Sequence, residues 1–373
     1  MSEWREVNLD EIVKFQRGHD LTVANIEEGN YPVAGSNGVI GYHNQFTTVA
    51  PGITLGRSGN SIGVAHYYGR NFWAHNTTLY TTAFIRSWPK YVFYFLRTID
   101  FAALNSGSAV PSLNRNHIHS IRVIIPDLTE QKSIAAVLNS LDDKIDLLHR
   151  QNQTLEAMAA TLFRQWFVEE AGEDWEEVTL DDVISVKGGT TPSTKEPAYW
   201  DGDIPWTSPR DLSNHDSVFM FDTVRKITEH GLAQIGSGLL PVGTVLLSSR
   251  APIGYLAIAD IPVAINQGYI AIVCDKILSN HFMFLWCKAN MEEIKNAGNG
   301  STFEEISKST FKALRFVMPL KERLWNFDET VSPTFEKIKT NQKQIRTLET
   351  LRDTLLPKLM SGAVRVALDR AAA

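Results

Sequence analysis

Ile134, Leu138, Leu141, Ile145, Leu148, Asn152, Leu155, Ala159, Leu162 and Trp166 recur at alternating steps of four and three residues. Phe327, Val331, Thr334, Ile338, Asn341, Ile345, Leu348, Arg352, Leu355 and Leu359 do the same at a constant offset of 193 residues. Steps averaging about 3.5 residues mark a coiled-coil seam, narrower than the stripe of an ordinary surface helix. The constant offset marks a duplication. Thr154-Leu155-Glu156 returns as Thr347-Leu348-Glu349, and Lys144-Ile145 as Lys337-Ile338. The chain reads as globe, long helix, globe, long helix. Each seam covers about 33 residues, roughly 50 Å at about 1.5 Å per residue. One such helix alone would expose a long apolar face, so the two are expected to pair, antiparallel. Full antiparallel overlap sets Ile134 against Leu359, Trp166 against Phe327 and Asn152 against Asn341. Two facing amides can bond one another and penalise slipped registers.

The duplication extends into the globes. The run from Trp4 to Ile12 matches that from Trp175 to Val183, and Gly52 to Leu55 with Ile62-Gly63 matches Gly243 to Leu246 with Ile253-Gly254. Gly107-Ser108 returns as Gly300-Ser301, and Arg122 to Pro126 as Arg315 to Pro319. Residues 53–55, 79–85, 122–125, 245–247 and 270–273 read as strands, and Asn37-Gly38 as a tight turn. The aromatic runs from Tyr91 to Leu104 and from Phe282 to Ile294 read as buried helices. Thr129 is the expected N-cap of the first long helix, with Gly172 and Gly362 as the helix stops. The organisation expected is a globe at 1–128, a helix at 129–171, a globe at 172–320 and a helix with tail at 321–373. The fold class is α+β, two α/β domains separated by two long helices in an antiparallel coiled coil, with pseudo-twofold internal duplication.

A net charge of −6 argues against a chain that holds nucleic acid alone by bulk electrostatics. The first helical stretch, 129–173, has 4 Lys/Arg against 8 Asp/Glu, and the last, 321–373, has 10 against 7. Opposite signs suit pairing with each other. Cys274 and Cys287 sit among apolar residues and read as buried free thiols of a reducing cytosol. Residues 1–6 are polar and charged, with no apolar run after them, so no secretory signal is expected and the location expected is cytoplasmic.

Catalytic constellations are missing from the sequence. It has no phosphate-binding loop and no zinc-ligand pattern. Gly236-Ser237-Gly238 is a lone fragment of a cofactor fingerprint and reads as a loop. His117 and His119 read as surface residues on a strand or turn. Asp201 and Asp203 have no third acid or lysine to complete a metal site. The expectation is a non-catalytic chain with no metal and no cofactor of its own.

Lys187-Gly188-Gly189-Thr190-Thr191-Pro192-Ser193, then Tyr199 to Trp206, then Asp211-Leu212, resembles the opening of a target recognition domain of type I restriction-modification specificity subunits. The stretch from Leu246 to Gly254, Asn266-Gln267-Gly268, Gly300-Ser301-Thr302 with Ile306-Ser307-Lys308, and Pro126 to Lys132 are similar to the same family. The first globe lacks the Thr-Pro-Ser and Tyr-Trp pattern. The resemblance implies that each globe reads one half of a split, asymmetric double-stranded DNA target. It implies two methyltransferase subunits on the helices, bringing S-adenosylmethionine, and restriction subunits bringing ATP-driven cleavage.

Base readout needs loop residues with donors, acceptors or aromatic faces. The candidates are Ser36, Asn37, Arg57, Ser58, Asn60, Arg70, Asn76 and Arg115 in the first globe. In the second they are Lys187, Thr190, Thr191, Trp206, Arg210, Arg250 and Gln267. Asn152 and Asn341 are the candidates for setting helix register. The alternative reading is a two-headed protein-binding scaffold with no nucleic-acid target, supported by the acidic charge. A carbohydrate reading rests on Trp200 and Trp206 as loop residues.

Overall fold

The computed structural model describes residues 4–101, 103, 112–213, 217–298 and 304–366. The Gly107-Ser108 and Gly300-Ser301-Thr302 matches lie outside the described residues, as does Leu104. The chain divides into two compact units, Met1–Asp146 with Thr347–Ala373, and Leu147–Arg346.

Unit 1 opens with β1 (Arg5–Asn8), β2 (Val13–Arg17), β3 (Tyr31–Gly35), β4 (Gly38–His43), β5 (Gly52–Gly56), β6 (Ala65–Tyr68), β7 (Trp73–Ala74) and β8 (Thr78–Phe84). Then come α1 (Pro89–Leu96), α2 (Arg115–His119), β9 (Arg122–Ile125) and the long α3 (Leu128–Arg164), whose residues to Asp146 belong to this unit. One sheet has the order β2-β8-β5-β6, a second β4-β3-β7, and β1 pairs with β9. Alternating apolar residues of β5 and β8 put Ile53, Leu55 and Leu79 into a core with Tyr91, Tyr94, Ile134 and Leu138. Burying each such side chain contributes about 1.5–3 kcal/mol. The turn joining β3 to β4 is Ser36-Asn37, one residue earlier than expected. Gly38 follows it at φ +111°, a backbone that L side chains rarely adopt.

Unit 2 repeats the plan. It contains β10 (Glu176–Thr179), α4 (Leu180–Val183), β11 (Ser185–Lys187), β12 (Trp200–Thr207), α5 (Pro209–Leu212), β13 (Phe219–Met220), β14 (Arg225–Ile227) and α6 (Glu229–Leu232). They are followed by β15 (Val245–Ser249), β16 (Ile253–Ala259), β17 (Ala264–Ile265), β18 (Tyr269–Val273), α7 (Asn280–Ala289), α8 (Met291–Asn296), α9 (Lys308–Lys312), β19 (Arg315–Met318) and α10 (Lys321–Met360). The sheet β11-β18-β15-β16-β13 and the sheet β14-β12-β17 correspond to the two sheets of unit 1, and β10 pairs with β19 as β1 does with β9.

Every position of the two heptads is buried or half-buried. Within unit 2, Asn341 Nδ2 donates to Asn152 Oδ1 at 2.9 Å, and the Trp166 and Phe327 rings pack tilted at 60° with centroids 5.7 Å apart. Within unit 1, Ile134 and Leu359 share the core, and Arg352 Nη1 donates to Asp142 Oδ1 at 2.9 Å. In each unit the partner number falls as the first rises, so the helices run antiparallel there. Near the globes the seam widens: Ala135 and Phe163 on α3, and Phe335, Leu356 and Met360 on α10, are also buried.

Several local expectations change. The cap of α3 is Asp127, whose Oδ1 accepts from Glu130 N at 2.9 Å; Thr129 lies inside the helix. A carboxylate one residue outside the first turn captures a free N–H and favours the positive end of the helix dipole. The end of α3 is a π-helical turn, Gln165–Glu169, and Gly172 lies beyond it against the Trp175 indole. Gly362 does stop α10, at φ +75°, with Val364 N donating back to Lys358 O at 3.1 Å. The first aromatic helix ends at Leu96, and its counterpart breaks at Asn290 into α7 and α8. His119 is not a free surface residue: its Nε2 accepts from Phe15 N at 3.0 Å, and the ring stacks on Phe15. Trp200 and Trp206 are strand residues of β12, buried edge to face, with the Arg225 guanidinium 3.4 Å over Trp200. Cys287 is buried and Cys274 half-buried, both free, and burial pushes the Cys274 thiol up to about 12. Among the described residues no helix is long and apolar enough to cross a membrane, and no cluster of His, Cys, Asp and Glu is built to hold a metal.

Candidate nucleic-acid interface

Backbone hydrogen bonds align the two units residue by residue. Where β5 ends, Arg57 N donates to Thr77 O at 3.1 Å and Arg57 O accepts from Leu113 N at 2.8 Å. Where β15 ends, Ser249 N donates to Gly268 O at 2.8 Å and Ser249 O accepts from Ile306 N at 3.0 Å. Arg57 and Ser249 therefore hold the same place. One residue on, Ser58 bridges to Ser112 and Arg250 to Glu305. The next helix is capped in both units, by Asn114 on α2 and Ser307 on α9, so Arg115 corresponds to Lys308. His19 N donates to Ala74 O and Thr190 N to Ile265 O, which pairs Arg17 with Gly188 and Asp20 with Thr191. His75 N donates to Ala34 O and Asn266 N to Thr207 O, which pairs Asn76 with Gln267.

On this alignment two candidates of the first globe meet two of the second, Ser58 with Arg250 and Asn76 with Gln267, while Asn37 lies in the β3–β4 turn and Arg210 on α5. Side-chain bonds repeat as well. Asn76 Nδ2 donates to Asp20 Oδ1, and Thr191 Oγ1 donates to Gln267 Oε1 at 2.8 Å. Loops after corresponding strands thus bring polar side chains to the same edge of each globe. In unit 1 they surround a cleft of about 720 Å³ whose walls include Arg17, His19, Asp20, Arg57, Asn114 and Arg115. In unit 2 a cleft of about 370 Å³ has walls that include Ser208, Arg210, Ser213, Arg250, Tyr255 and Asn266.

Three arginines, Arg17, Arg57 and Arg115, outnumber the one acid, Asp20, in the first cleft. Arg57 is half-buried and donates from Nη1 to Asn76 O at 3.1 Å. Burial, and then the charge of Arg17, hold its pKa below the usual guanidinium range, a cost to the charged form that a hydrogen-bond acceptor would offset. In the second cleft Arg250 is half-exposed and lies 3.6 Å from Glu305, a weak pair that solvent screens.

Other candidates fall elsewhere. Arg70 lies over the Tyr42 ring at 5.6 Å, and Asn60 is exposed beyond the end of β5. Ser36 spends its hydroxyl on Thr77 O at 2.8 Å and braces the loop. Lys187, Thr190, Arg210 and Gln267 are exposed. Trp206 offers no free face: it is 5% exposed, and its indole N–H points to Thr190 O at 3.4 Å. Strand pairing on both sides of β12 put it in the core, which also removes the basis of a carbohydrate reading. Arg17, His19, Asp20 and Lys308 were absent from the candidates. Aligning the end of β2 with Lys187-Gly188-Gly189 would have found the first three.

The model of the type I restriction modification DNA specificity domain matches residues 1–157 and 172–354. The chain belongs to the type I restriction-modification DNA specificity family. It is 37% identical over 191 residues to the specificity subunit of the type I restriction enzyme MjaIX from Methanocaldococcus jannaschii, 51% of this chain and 44% of that protein. The stretch shared with that relative is thus under half its length. It is 23% identical over 357 residues to the HindI specificity subunit of Haemophilus influenzae, covering 74% of this chain and 77% of that one. The fold is similar to the crystal structure of a type I S subunit from M. genitalium, with TM-score 0.65, 18% identity and 96% of each chain covered.

Proposed function

We propose that this chain reads both halves of a split, asymmetric double-stranded DNA target, one half through each unit. The observation that carries the reading is the pair of corresponding edges, alike in their backbone hydrogen bonds and different in side chains. A common frame suits a common duplex, and different side chains suit different words. The acidic chain then depends on partners for much of the phosphate contact. The long helices are the surface on which two methyltransferase subunits dock, bringing S-adenosylmethionine; restriction subunits add ATP-driven cleavage. The chain itself holds neither cofactor and works in the cytoplasm. A mobility-shift assay on the complex assembled with its methyltransferase subunits tests this. The target is the word found by mapping methylated adenines. Retention of that word over a scrambled one is expected; equal retention would favour the scaffold reading.

A further inference from the structure

We propose that the cleft of unit 1 reads a guanine, through Arg17 and Arg57, and that Arg115 and its counterpart Lys308 hold backbone phosphates. This rests on the DNA-reading function above and names the residues that perform it in one half. Three observations lead to it.

Arg17, Arg57 and Arg115 line one cleft, and among the described residues none of the three has a carboxylate within ion-pair distance. The acid in that wall, Asp20, already accepts from the Asn76 amide. Gathered guanidinium groups repel one another, so the arrangement is stabilised by an electron-rich partner from outside.

Arg57 is oriented. Its Nη1 is tied to the Asn76 carbonyl at 3.1 Å, which leaves the remaining N–H groups of a planar fork to a residue that lines the cleft. Guanine O6 and N7 are two acceptors side by side, the partner that such a fork fits. A fixed guanidinium loses less freedom on binding than a mobile one.

The two repeats then separate base from backbone. Phosphates look alike in every half-word, so a phosphate contact should recur in both units, whereas a base contact need not. Arg115 and Lys308 keep the positive charge on the first residue of α2 and α9. Arg17 and Arg57 do not recur: their places hold Gly188 and Ser249. The same frame folds without those arginines in unit 2, so they are not needed to build it. In unit 2 the Lys308 side chain instead lies over Gly188, within 2.6 Å of where a Cβ would stand.

The test uses the full chain in its methyltransferase complex, with methylated adenines mapped by long-read sequencing and binding measured on cognate and altered duplexes. In Arg17→Ala and Arg57→Ala, one G·C position of the half-word read by unit 1 should relax, and the other half-word should stay. Discrimination at that position should fall by about 5- to 150-fold. Arg115→Ala should weaken all sequences alike and lower the salt slope by about one. Arg17 is exposed, so Arg17→Ala should keep the wild-type melting temperature and report readout alone. The proposal is overturned if both alanine variants keep the word unchanged, lose cognate and altered DNA equally, or relax an A·T position. A wild-type complex with no sequence-specific methylation would sink the function itself; a specific wild type with unaffected variants sinks only the guanine assignment.

Discussion

His281 stacks on Phe335 with ring centroids 4.3 Å apart, and burial lowers its pKa to about 4 from 6.5. The nearby Glu336 favours the charged ring and Lys339 opposes it, but desolvation dominates. The folded state therefore keeps this ring neutral where the unfolded chain would protonate it. The stability that results is full above about pH 6.5, falls as pH drops through that value, and is gone near pH 4. The limiting slope is about 1.4 kcal/mol per pH unit. His281→Phe, which keeps the stack, should flatten the dependence in that window, measured by urea unfolding at several pH values. An unchanged slope would show that other groups carry it. At this scale the sequence was legible where turn chemistry exposes a side chain, as at Asn37 and Gln267. It misled at Trp206, because Asp201-Gly202-Asp203 imitates a loop inside an aromatic strand. It was silent on Arg17, because a charged residue at a strand end reads as ordinary alternation.

The paired helices carry their own chemistry. Asn152 and Asn341 are buried and bonded to each other, while Asn341 Oδ1 is buried without a partner. Replacing both with Leu should raise the melting temperature, since two apolar groups replace an incompletely satisfied pair. Replacing Asn341 alone should lower stability by about 1–3 kcal/mol. Replacing Asn152 alone should cost less, because Asn341 Nδ2 also donates to Gln151 Oε1 at 3.5 Å. Calorimetry of the three variants checks the order; a double variant less stable than either single would contradict it. Burial of the heptads explains why this register was readable in advance: a period of about 3.5 leaves one way to hide the seam. Helix ends were less readable, because Asp127 and the π turn depend on what the neighbouring globe leaves for a cap. Opposite charges also mark corresponding feet of the two helices. In unit 1 Arg365 Nε reaches Glu130 Oε1 at 2.5 Å beside Trp4, and in unit 2 Arg323 Nη2 reaches Glu170 Oε2 at 2.7 Å beside Trp175. Glu130 is the acid of one foot and Arg323 the base of the other at the same repeat position. The Glu130 side chain is 2% exposed and also accepts from Trp4 Nε1 at 3.3 Å, so Arg365→Ala should strip a buried carboxylate of its charged donor and cost about 3 kcal/mol. Adding Glu130→Gln should recover part of that in the same melt; no recovery would assign the loss to packing of the tail.

At the scale of the whole chain, the duplication supports the proposed two-part reading. Both halves match one family model, at residues 1–157 and 172–354, and both present the same backbone edge with different side chains. The duplication was legible because hydrophobic period and turn residues survive divergence. The word each half is proposed to read was not, because it depends on how loops from distant positions meet at one edge, as Asp20 and Asn76 do. The most direct measurement replaces residues 1–128 with the corresponding globe of a relative that reads another target. Methylated adenines are then mapped in a host carrying the chimera with its methyltransferase subunits. Independent reading predicts that one half-word changes to the donor's and the other stays. A map in which both half-words change, or in which neither does, would contradict it.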